Sequence, residues 1–199
     1  ANLRAAQDYY KYGLILAGEG REAEAAKAFR QALGVRPDWA EVHSLLGSTL
    51  ARAGNFAEAE AELRKAVSLK PDYAEAFNNR GDIFNKLTKP DAALIDFEKA
   101  IVFRPDLAIA FNNRGIALQL LKRFDEALAS YDCAIALKAD YADAFSNRGR
   151  AFGELKRLEE ALADIERALA LDPELSYLKG DLLHSKLHLC DWGEFEQDC

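Results

Sequence analysis

The sequence repeats itself every 34 residues, and that period restricts the fold more than any other feature. Gly47, Gly81, Gly115 and Gly149 keep the step, as do Ala25, Ala59, Ala93, Ala127 and Ala161. Ala32, Ala66, Ala100, Ala134 and Ala168 form a third series in the same register. Pro37, Pro71 and Pro105 follow it; Ala139 takes the next place and Pro173 restores the proline. Phe77, Phe111 and Phe145 sit inside the near-verbatim phrases AFNNRG, AFNNRG and AFSNRG. A period of this length marks one supersecondary unit that stacks on copies of itself, because a single unit cannot bury its own apolar face.

Each unit reads as two helices. In the third, Ala74 to Leu87 carries Phe77, Ile83, Phe84 and Leu87 at helical spacing. A break at Thr88–Lys89–Pro90 follows, with Pro90 where a first helical turn tolerates it. Asp91 to Phe103 carries Ala93, Leu94, Phe97, Ala100, Ile101 and Phe103, and Arg104–Pro105–Asp106 stops the second helix. In the first two units Gly20 and Gly54 mark the turn between helices, where positive φ costs glycine little. Gly81, Ala93 and Ala100 leave room for close helix approach, and Phe77, Phe84 and Phe97 fill the remaining space.

This pattern of small and large residues resembles the tetratricopeptide repeat family. The family signature is matched in the third unit by Phe77, Gly81, Phe84, Ala93, Phe97, Ala100 and Pro105. Departures are arginine for leucine at Arg80, Arg114 and Arg148, and Ala139 for proline. The resemblance implies an all-α, right-handed solenoid of five hairpins: 6–39, 40–73, 74–107, 108–141 and 142–175. Residues 176–199 start like a sixth unit, with Leu178, Leu182, Leu183, Leu187 and Leu189 on one face, and are expected to cap the stack. The stretch Leu183 to Trp192, with its Cys190–Asp191–Trp192 triplet, is similar to the junction between repeats and catalytic region in O-linked N-acetylglucosamine transferases and SPINDLY-like glycosyltransferases. That likeness implies the substrate-selecting arm of such an enzyme, continuing beyond Cys199. The other reading is a free-standing adaptor or scaffold, self-associating through its C-terminal end.

Charge narrows the partner. The net charge is −7, acids and bases are interleaved, and no basic stripe exists to displace counterions from nucleic acid. No apolar run approaches the roughly 20 residues that span a bilayer, so neither nucleic acid nor membrane is expected. Three cysteines, Cys133, Cys190 and Cys199, are no disulfide framework and fit a reducing compartment, with the cytoplasm expected. No catalytic set or phosphate-cradling loop is visible, and no cofactor is expected. His184, His188 and Cys190 could approach a zinc ion, but no further ligand pair accompanies them and no metal site is expected.

The resemblance implies that the first helix of each hairpin lines a concave groove. The groove-facing position holds Asn79, Asn113 and Asn147, preceded by Asn78, Asn112 and Ser146. A side-chain amide both donates and accepts, so such a ladder suits an extended polypeptide's backbone whatever its side chains; the alternative is that these residues cap turns or hydrogen-bond to neighbouring helices. The glycosyltransferases named above carry a similar ladder. Lys11 and Leu45 interrupt it in the first two units. Arg80, Arg114 and Arg148 stand beside it, as an anion-reading row or as structural partners of acids such as Asp96 and Asp164. The carboxylate clamp of chaperone-binding repeats is not reproduced, since Ser44, Ser48 and Ile109 occupy three of its positions.

Overall fold

In the computed structural model, which describes residues 2–175 and Gly180, ten helices and no strands occur among the described residues. They are α1 (Asn2–Gly18), α2 (Glu22–Val35), α3 (Ala40–Arg52), α4 (Phe56–Leu69), α5 (Ala74–Lys86), α6 (Pro90–Phe103), α7 (Ala108–Leu120), α8 (Phe124–Leu137), α9 (Ala142–Glu154) and α10 (Leu158–Leu171). The capping segment 176–199, with Leu183, His184, His188, Cys190, Trp192 and Cys199, lies outside the described residues apart from Gly180.

The turn inside each hairpin is built the same way five times. The residue in the left-handed region is Gly20, Gly54, Thr88, Lys122 or Lys156, with φ of 72°, 80°, 54°, 60° and 61°. The next residue's N–H reaches back to a carbonyl five positions earlier: Arg21 to Leu16, Asn55 to Leu50, Lys89 to Phe84, Arg123 to Leu118 and Arg157 to Phe152, at 2.8–3.0 Å. This closure satisfies carbonyls that the helix end would otherwise leave open. Glycine was the signal at the first two turns; at the other three an ordinary residue takes the same conformation, closed by the same backbone hydrogen bond.

Between hairpins the chain leaves helix through one extended residue. Arg36 and Arg104, each before a proline, have φ of −133° and −142°. Lys138 precedes Ala139 yet adopts φ −141°, ψ 94°. The exit therefore does not require proline, although proline favours it.

The chain forms two compact units, the first running to Pro105 and the second starting at Asp106. In the first, consecutive helices pack from α1 to α6, and α3 also touches α5. In the second, consecutive helices pack from α7 to α10, and α7 touches α9. Leu16, Phe29, Val42, Leu46, Leu63 and Ile83 belong to the first unit's core. Ala117, Leu118, Tyr131, Ala151 and Ile165 are buried in the second.

The recurring glycine explains how tightly the hairpins close. A Cβ on Gly81 would lie 2.7 Å from Cε1 of Phe97, and one on Gly47 would lie 2.6 Å from Cγ of Leu63. No heavy atoms tolerate that separation, so the bulky residue of the second helix occupies the space a side chain would need.

Candidate functional site

The asparagines divide into an inner and an outer set. Asn78, Asn112 and Ser146 are 4%, 4% and 1% exposed, too enclosed to meet a partner's backbone. Asn79, Asn113 and Asn147 are half-buried on the first helices of their hairpins. In the first unit, Asn79 Nδ2 donates to Ser48 Oγ on α3 at 2.9 Å and its Oδ1 accepts from Asn78 Nδ2 at 3.4 Å. In the second unit, Asn147 Nδ2 donates to Asn112 Oδ1 on α7 at 3.0 Å, and Asn112 Nδ2 donates to Asn113 Oδ1 at 3.3 Å.

The Asn79–Ser48 and Asn147–Asn112 bonds tie one first helix to the next, and the Asn78–Asn79 and Asn112–Asn113 bonds stay within a helix. An amide group has two N–H donors and two acceptor lone pairs. Asn79 therefore retains one donor and one acceptor after its two bonds, and Asn147 retains one donor and its whole carbonyl oxygen. By that count each can donate and accept once more.

The arginines point elsewhere. Arg80 donates Nε and Nη2 to the two oxygens of Asp96 on α6, at 2.6 and 2.7 Å. Arg148 grips Asp164 on α10 the same way at 2.7 and 2.8 Å, and adds Asp132 at 2.6 Å. Hydrogen bonding to these carboxylates holds both guanidiniums above their ordinary range. Arg80 and Arg148 thus neutralise acids that are themselves buried, Asp96 at 2% and Asp164 at 6%. Arg114 differs. The equivalent acid is replaced by Ser130, whose Oγ accepts from Arg114 Nη1 at 2.9 Å and donates to the Glu126 carbonyl at 3.0 Å.

One polar cluster escaped the sequence reading. His43 stands where the later repeats have phenylalanine, and Glu62 where the third and fifth have aspartate. Their side chains meet at 2.6 Å through Nδ1 and Oε2, while Nε2 lies 2.8 Å from the Pro37 carbonyl. Lys65 adds a bond to Glu62 Oε1 at 2.9 Å. Burial opposes ionisation of Glu62, but the Lys65 and His43 donors outweigh it and hold the carboxyl below its ordinary value. The register itself was the available signal: a histidine replacing an aromatic, with an acid at the place of Asp96.

A cavity of about 560 Å³ opens between α7 and α9, with Asn147 on its wall. Its size is within the range of ligand-binding clefts. Among the described residues no group of three or more histidine, cysteine, aspartate or glutamate side chains could hold a metal ion, and no helix is long and apolar enough to cross a membrane.

Paired helices, stacked hairpin on hairpin within each unit and with polar side chains between successive first helices, define a helical-repeat interaction scaffold. The chain belongs to the tetratricopeptide repeat family: models of that repeat match residues 10–73, 44–108, 108–141 and 142–175. It is a protein-interaction module of that family. No curated protein matches the chain. Among solved structures it is similar to TTC0263, a thermophilic tetratricopeptide protein of Thermus thermophilus, at 25% identity, covering 92% of this chain and 100% of that one with a TM-score of 0.78. It is similar in fold to YrrB, described as a tetratricopeptide protein with an unusual peptide-binding site, at 23% identity, coverage of 89% and 90%, and a TM-score of 0.67. It also superimposes on the anaphase-promoting complex assembly Cut9–Hcn1 with a TM-score of 0.84 at 18% identity, covering 90% of this chain and 36% of that one.

Proposed function

We propose that the module holds extended polypeptide against its first helices, with Asn79, Asn113 and Asn147 gripping the partner's backbone. The observation that carries this reading is the remaining hydrogen-bonding capacity of Asn79 and Asn147, both half-buried, after the side-chain bonds they make. Asn78, Asn112 and Ser146 support the grip from inside, and Arg80, Arg114 and Arg148 serve packing and charge neutralisation beneath it. The peptide-binding site named for YrrB is consistent with a peptide ligand.

Two settings suit such a module. One is the substrate-recognition arm of an O-linked N-acetylglucosamine-transferase-like enzyme, a reading that rests on the Cys190–Asp191–Trp192 stretch. The other is a free-standing adaptor, self-associating through its C-terminal end. The adaptor reading is supported by the match to the tetratricopeptide repeat models and by the likeness to YrrB. We place the protein in the cytoplasm, where the exposed Cys133 thiol would stay reduced.

The test is a binding titration of unstructured, uncharged peptides by the parent and by Asn79→Ala/Asn113→Ala/Asn147→Ala. Loss of backbone hydrogen bonds worth about 1 kcal/mol each should weaken binding at least tenfold. Because Asn79 and Asn147 also bridge helices, the variant should lose about 1–3 kcal/mol of stability while remaining folded. Unchanged peptide affinity in the folded variant sinks the ladder.

A further inference from the structure

The cavity between α7 and α9 carries a pattern that the asparagine ladder does not use. Ile116 and Leu120 supply apolar wall from α7, and Phe124 adds an aromatic surface. Leu120 is 49% exposed, whereas Leu118 on the same helix is fully buried. The Tyr131 hydroxyl donates to Gln119 Oε1 at 2.9 Å and fixes that amide at the cavity edge.

The mouth carries charge of both signs. Lys122 and Arg150 line the cavity together with a single acid, Glu154. Lys122 Nζ lies 5.6 Å from the centroid of the Phe124 ring, and neither cation forms an ion pair among the described residues. Their neighbours behave otherwise. Arg123 is bound to Glu126, Arg148 to Asp132 and Asp164, and Arg157 to Glu160. In a chain of net charge −7, two cations against one acid make the mouth of this partly apolar cavity locally positive.

We propose that this cavity is a specificity subsite for an aliphatic side chain of an extended partner segment, followed two residues later by an acidic side chain. Residues two apart lie on the same side of an extended chain. The aliphatic group fills the space beside Ile116 and Leu120, the backbone meets Asn147, and the carboxylate meets Arg150 and Lys122. The inference rests on the groove reading above and adds to it a side-chain preference, which amide contacts alone cannot impose.

Fluorescence anisotropy tests it with three labelled peptides, each about nine residues long in a serine–glycine background. The first contains Leu-Ser-Asp, the second Leu-Ser-Lys and the third Ser-Ser-Asp. The parent protein should bind the first about tenfold more tightly than the third, from burial of the leucine. It should bind the first about three- to fivefold more tightly than the second, as a solvent-accessible charge contact allows. Arg150→Glu should reverse the preference between the first two, and Leu120→Gln should erase that between the first and third. The comparison on the parent does not depend on either variant folding. Equal binding of all three peptides, with sensitivity to the asparagine substitutions retained, overturns the subsite and leaves the groove reading standing. Absence of binding by any of them overturns both.

Discussion

Replacing Arg80 with leucine, the residue the family pattern calls for, should damage this protein. The side chain of Arg80 is 15% exposed and that of Asp96 only 2%. Truncating the arginine removes two charge-assisted bonds of 2.6 and 2.7 Å and strands a carboxylate that solvent cannot reach. Breaking a buried pair from one side costs about 3–5 kcal/mol. Alanine stands at the place of Asp96 in the first repeat, as Ala28, and is 2% exposed. Arg80→Leu/Asp96→Ala should therefore recover most of the loss, because replacing both partners removes the desolvated charge. The coupling between the two substitutions should reach about 2 kcal/mol or more. Urea unfolding followed by circular dichroism measures it, with amide exchange across α5 and α6 as a local readout, since repeat arrays need not unfold in one step. A cost below about 1 kcal/mol for Arg80→Leu, the range of exposed pairs, would refute the reasoning. So would a double variant no more stable than the single one.

Two further outcomes follow from packing and titration. Gly81→Ala should destabilise by about 1–2 kcal/mol, since overpacking against the immobile Phe97 ring exceeds the gain in helix propensity. Gly149→Ala should change stability by less than about 1 kcal/mol, because its nearest neighbours lie at 3.2 Å. Thermal melts of the two variants separate these cases. Glu62 ionises more readily folded than unfolded, so its contribution is complete above the ordinary value of 4.5 and is lost as pH falls through the lower folded value. The stability advantage of the parent over Glu62→Gln should be largest at neutral pH and close below pH 4.5, as urea titrations in a pH series would report.

Local signals carried far in this sequence. Period and apolar spacing were enough for paired helices, the glycine series for the close crossing of each hairpin, and charge for Asp96 and Asp164 as partners of Arg80 and Arg148. What stayed hidden depends on neighbours distant in the chain. Asn79 meets Ser48 across 31 positions and Asn147 meets Asn112 across 35, offsets set by how one first helix lies on the next. Thr88, Lys122 and Lys156 are poor residues for positive φ, so their own identity did not mark these turns. Bonding of these amides to neighbouring helices was foreseeable as an alternative to peptide contact, but which partner each takes depends on side-chain direction.

Ser130 has a consequence for how such an array can diverge. Where an arginine and a buried acid are locked together, either change alone meets a penalty, and the pair can drift only if both residues change nearly at once. The fourth repeat escapes that trap. Its hydroxyl satisfies Arg114 without placing a second charge in the core. From there arginine can be exchanged for leucine, or serine for an acid, one substitution at a time. A serine at this place is thus a crossing point between the ionic and the apolar hairpin, and copies of one repeat can reach different interiors without leaving the fold.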